Sequence, residues 1–104
     1  MSRLRVLRAL LEDAASPHYG LELIRSSGVS GGGLYPILAK LEADGWIVGE
    51  WEAIDEAAAG RRKRRYYRMT GLGETEARAV LIDAANSLTL PGPGVVGRPG
   101  FAPS

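Results

Sequence analysis

Leu34, Ile37, Leu38 and Leu41 stand at positions i, i+3, i+4 and i+7, and no extended strand can turn all four to one face. They define a helix over roughly 31–44, apolar on one side. Tyr35 and Lys40 fall off that stripe. The stretch begins at Ser30 and a run of three glycines, Gly31 to Gly33, and it ends at Asp44-Gly45. Ser30 can cap such a helix. Pro36 complicates this, because proline is comfortable only in a first helical turn. A start near Gly32 or Gly33 suits it better.

The flanking segments follow from the same reasoning. Residues 3–13 read as a first helix with Leu4, Leu7, Leu10 and Leu11 on one face. Ser16-Pro17 stops it and opens a second helix over about 18–27, with Leu21, Leu23 and Ile24 inward. Gly28 supplies the left-handed residue that ends it. After Gly45 comes Trp46-Ile-Val-Gly-Glu-Trp51, rich in strand formers, then a polar stretch from Ala53 to Lys63 whose Gly60 suggests a flexible tip. The partner strand is Arg64 to Thr70. A fourth helix runs from about Thr70-Gly71 to Ser87, with Ala77, Val80, Leu81, Ala84 and Leu88 at helical spacing. Residues 89–104 hold four prolines and four glycines in sixteen positions, too little apolar surface to offset ordering, and are expected to be disordered.

Composition narrows the function. A length of 104 residues supports one modest core. With no cysteine there is no disulfide or thiolate metal site, and one histidine cannot build a histidine-based one. The N-terminus, interrupted by arginines, is neither a signal peptide nor a membrane span, and a cytoplasmic location fits. Carboxylates are scattered, and the glycine run lacks the Lys-Ser/Thr of a phosphate-binding loop, so no catalytic residue, cofactor or metal is expected. Charge is the exception to an ordinary composition. Residues 1–59 carry a net −4, residues 60–70 a net +6 with no acid, and residues 71–104 a net −1. Arg61-Arg-Lys-Arg-Arg65 is therefore a local anion-binding feature.

Three helices followed by a two-stranded basic hairpin make a winged helix-turn-helix, mainly α with a small β-hairpin. Narrower motifs are Tyr19-Gly-Leu-Glu-Leu, Gly33-Leu-Tyr-Pro-Ile-Leu-Ala-Lys-Leu-Glu, Asp44-Gly-Trp-Ile and Tyr66-Tyr-Arg-Met-Thr with Gly73. On these residues, which span 3 to about 88, the chain resembles the PadR family of bacterial transcriptional regulators. That family usually has threonine where this chain has Gly33; glycine lets backbone N–H groups approach a phosphate and substitute for the missing hydroxyl.

The resemblance implies a homodimeric repressor that reads a palindromic operator in double-stranded DNA and is released by a small-molecule effector, for which no site is legible. The expected DNA contacts are Ser30, Gly32, Gly33, Tyr35, Pro36 and Lys40 at the recognition helix, and Arg61, Arg62, Lys63 and Arg64 in the wing. Arg64 and Arg65 alternate faces, so only one need reach DNA. Trp46 and Trp51 are expected to pack the core and the wing, and His18 to serve only the helix start. Residues 1–70 form the DNA-binding unit and 71–88 a dimerisation helix. Its stripe of Ala77, Val80, Leu81, Ala84 and Leu88 lacks an obvious partner within the chain and is expected to meet Leu4, Leu7 and Leu11 across a two-fold axis; the alternative is that it folds back over its own domain. The competing expectation is a winged helix that applies its basic wing to an acidic protein or to structured RNA.

Overall fold

The computed structural model describes residues 2–89, with side chains through Ser87. The side chain of Leu88 lies outside the described residues, as does the expected disordered tail from residue 90 onward; Thr89, counted in that tail, is helical. The elements run α1 (Ser2–Leu11), β1 (His18–Tyr19), α2 (Gly20–Ser27), α3 (Gly31–Ala43), β2 (Ile47–Trp51), α4 (Glu56–Ala59), β3 (Arg65–Met69) and α5 (Gly71–Thr89). The fold is a winged helix: helices around one core, beside a small antiparallel sheet of order β1-β3-β2.

The core is built from the stripes that periodicity picks out. Leu7 and Leu10 from α1, Leu23 from α2, and Leu34, Leu38 and Leu41 from α3 are essentially inaccessible, joined by Val6 and Ile47. Each such side chain contributes about 1.5–3 kcal/mol by leaving water. Leu21 is the misplaced member of the expected inward set: it is 59% exposed.

Helix boundaries depart from expectation in two places. Pro17 does not open α2. His18 and Tyr19 are extended and pair with Tyr67 and Tyr66 of β3, and the helix starts at Gly20. Pairing there covers the edge of β3 that β2 leaves free, which two residues of sequence cannot announce. At α3 the departure runs the other way. Ser30 is the N-cap residue, with extended φ and ψ of −66° and 162°, and its carbonyl accepts the Leu34 N–H at 2.7 Å. The helix starts at Gly31, so Pro36 sits in the second turn rather than the first. The carbonyl that loses its partner to proline belongs to Gly32, an exposed residue that water reaches. Gly28 ends α2 at φ 73° and donates its N–H to the Ile24 carbonyl at 3.0 Å.

The segment between β2 and β3 is more ordered than a flexible tip. Asp55 Oδ1 accepts the N–H groups of Ala57 and Ala58 at 3.0 and 3.4 Å, capping the single turn of α4. Gly60 closes that turn at φ 70°. Thr70 does the same for α5: its Oγ1 accepts the Gly73 N–H at 2.9 Å and donates to the Gly45 carbonyl at 2.7 Å.

Helix α5 is not unpartnered, contrary to expectation. Its first half lies on α1 of the same chain, with Ala77 fully buried and Val80 packed against the core. Leu7 is likewise fully buried in the chain's own core. Leu7 and Ala77 are therefore not available to a second chain. Leu4, Leu11, Leu81 and Ala84 remain half-exposed, and Ile82, outside the expected stripe, is 60% exposed.

Candidate nucleic-acid interface

Helix α3 buries one face and leaves the other open. Ser30, Gly32, Tyr35, Pro36 and Lys40 are exposed, and Gly33 is half-buried. Ser30 Oγ makes no capping hydrogen bond. Tyr35 is 49% exposed and lays its ring across the start of α2, against Gly20, which has no β-carbon to obstruct it. Lys40 forms an ion pair with Asp44 at 3.0 Å while its side chain stays 64% exposed. A pair of this kind one helical turn apart is worth about 0.3–0.5 kcal/mol, so it holds the ammonium only loosely.

The basic run is divided in use. Arg61 turns back on Glu52, its two terminal nitrogens donating to Oε1 and Oε2 at 2.7 and 3.1 Å. Arg65 points inward to Glu42 of α3 at 3.0 Å, its guanidinium 5.4 Å from the Trp51 ring and 5.9 Å from that of Tyr67. Arg68 pairs across the sheet with Glu50 at 2.7 Å. Arg62, Lys63 and Arg64 are exposed and form no ion pair among the described residues; Arg64 lies 5.8 Å over the Tyr19 ring. Arg64 and Arg65 thus take opposite faces, with Arg64 the outward one. The Glu42–Arg65 pair links the start of β3 to α3.

Glu52 was not legible as a site residue. The Arg61 guanidinium, helped by the Arg64 N–H and the Tyr19 hydroxyl and opposed by burial, holds its carboxyl well below the usual range, at about 2. Burial and the facing carboxylate push the Tyr19 hydroxyl up. Nothing in the local pattern around position 52 signals this, because its partners lie 9, 12 and 33 residues away.

The two tryptophans behave differently. Trp46 is half-buried against the core with Arg3 5.0 Å over its ring, whereas Trp51 is 59% exposed at the wing. His18 is buried, with its ring nitrogens 2.9 Å from the Asp13 carbonyl and 3.3 Å from Glu22 Oε2. No group of three metal-ligating side chains occurs among the described residues, and no helix among them is long and apolar enough to cross a membrane.

Solved structures share this fold. A PadR-like transcription factor from Bacteroides fragilis superposes with a TM-score of 0.58 at 26% identity, over 83% of this chain and 89% of that one. AbfR of Staphylococcus epidermidis, solved in an overoxidized form bound to DNA, gives 0.65 at 25% identity over 86% of this chain. This chain spans only 60% of that AbfR chain. The smu.1704 protein of Streptococcus mutans gives 0.65 at 22% identity, over 83% of this chain and 81% of its own, a likeness of fold alone. No curated protein matches. The fold and these neighbours support a DNA-binding regulator of transcription. Residues 6–79 match the transcriptional regulator PadR-like family, and the chain belongs to that family, whose members regulate transcription and are not enzymes.

Proposed function

We propose that the chain is a homodimeric repressor that reads a palindromic operator with α3 and grips the DNA backbone with its wing. The observation that carries this is the set of three exposed wing cations, Arg62, Lys63 and Arg64, which make no ion pair among the described residues, while the adjacent Arg65 reaches Glu42 of α3. Ser30, Gly32, Gly33, Tyr35, Pro36 and Lys40 meet the groove. The wing cations meet phosphates, which position the protein without reading sequence. AbfR, solved on DNA, supports duplex DNA as the ligand.

The dimer forms through the groove between α1 and α5, lined by Arg8, Leu11, Glu12, Arg78, Leu81 and Ile82. Leu4 and Ala84 are half-exposed on the same two helices. AbfR has also been solved in a disulfide-formed state, whereas these 104 residues contain no cysteine; BpsR of Bordetella bronchiseptica, whose DNA binding is regulated by 6-hydroxynicotinic acid, supports a small molecule as the release signal.

Capture of sheared genomic DNA followed by sequencing tests the reading. An enriched palindrome with half-sites about 10 base pairs apart, or a multiple of that, supports it. Featureless enrichment overturns sequence-specific reading. Placed ahead of a reporter, the captured fragment should give less transcription when the chain is present; more would make it an activator.

A further inference from the structure

The basic run looks like one unit in sequence, and the geometry separates it into two. Glu52 follows β2 directly, and its side chain is only 10% exposed. Oε1 accepts from Arg61 at 2.7 Å and from the Arg64 N–H at 2.9 Å. Oε2 accepts from Arg61 at 3.1 Å and from the Tyr19 hydroxyl at 3.2 Å. These four bonds occupy the roughly four lone-pair positions a carboxylate offers. The Arg61 fork is bidentate, the strongest geometry open to such a pair.

The same bonds hold the tip of the wing from the inside. Arg61 also donates to the Arg62 carbonyl at 3.1 Å, and Glu56 accepts the Lys63 N–H at 2.7 Å. With the main chain tied at these points, the side chains of Arg62, Lys63 and Arg64 are left exposed, and they make no ion pair among the described residues. Tyr19 links the tie to the recognition helix. It is the residue before α2, and its neighbour Gly20 lies under the Tyr35 ring. One carboxylate therefore joins the wing tip to the entrance of the helix-turn-helix.

We propose that Glu52 is a positioning residue for DNA binding, with Arg61 serving as its structural tie while Arg62, Lys63 and Arg64 make the wing's phosphate contacts. This rests on the DNA-binding reading above. It also removes Arg61 from the expected contacts: an arginine paired through two nitrogens with a largely buried carboxylate has its charge already balanced and releases little counterion from DNA.

The slope of log affinity against log salt on random-sequence duplex DNA distinguishes the roles. Arg61→Ala should leave the slope as in the wild type. Arg62→Ala with Lys63→Ala should make it shallower by about 0.9 for each phosphate that is no longer neutralised. Glu52→Gln keeps the side chain's size and frees the Arg61 charge, so the slope should steepen by up to about 0.9 per subunit. Tryptic cleavage between residues 61 and 64 in the absence of DNA should also become faster in Glu52→Gln. A slope made shallower by Arg61→Ala, or wild-type slope and cleavage in Glu52→Gln, overturns the tie and leaves DNA binding by the wing intact. A flat response to the Arg62/Lys63 pair overturns wing contact itself, and the division of labour with it.

Discussion

Gly73 lies with its α-carbon against the main-chain carbonyl of Trp46, so close that a β-carbon there would overlap the carbonyl oxygen. That carbonyl already accepts the Thr70 N–H at 3.0 Å, which fixes it where α5 leaves the sheet. Gly73→Ala puts two effects in opposition. Alanine gains about 1 kcal/mol in helix propensity over glycine. The overlap is with backbone, which cannot swing aside as a side-chain tip would, and overpacking of this kind costs about 1–3 kcal/mol or more. The variant should be less stable by urea denaturation. A raised midpoint would show that α5 can shift away from Trp46 at no cost.

Lys40→Ala separates base reading from backbone contact at the recognition helix. The fold should be nearly untouched, because the pair with Asp44 is exposed. If Lys40 meets a base edge, operator affinity should fall by about 1–3 kcal/mol and preference should relax at one position in each half-site. Binding titrations across single-base operator variants check this. A uniform loss over all sequences assigns Lys40 to phosphate, and no loss removes it from the interface.

Leu7 and Ile82 should fail in different ways. Ile82→Glu places a charge in the groove between α1 and α5 and should yield a folded monomer by sedimentation at micromolar concentration. Leu7→Ala instead opens the chain's own core and should cost about 2–5 kcal/mol of stability. A wild-type monomer under the same conditions would sink the dimer.

Glu52 also predicts a pH dependence. Its carboxyl lies at about 2 in the folded chain against 4.5 for the ordinary group. Between those values the unfolded chain binds more protons, so stability rises with pH. The contribution is fully present above about pH 4.5 and is lost as pH falls through about 2. Acid unfolding of wild type and Glu52→Gln should therefore run parallel above pH 5 and converge toward pH 2. Parallel curves over the whole range would show that the Arg61 pair does not stabilise the ionised carboxylate.

Local periodicity specifies α1, α3 and α5 and the inner face of α3, but not the start of α2, the outward Leu21 or the turn of α4. Leu34, Leu38 and Leu41 are buried because a helix repeats every 3.6 residues, a local property that survives any tertiary arrangement. The left-handed turn at Gly28 and the net +6 of residues 60–70 are local in the same way. Tertiary structure decided what those residues touch. His18 and Tyr19 became a strand because β3, almost fifty residues on, had an open edge. Ala77 went into the chain's own core because α1 lay beneath it, while Ile82 stayed exposed. The cations of the wing separated into tied and free because Glu42, Glu50 and Glu52 came within reach of Arg65, Arg68 and Arg61. Charge density is written in the chain, but whether a given charge is satisfied depends on distances that only folding sets.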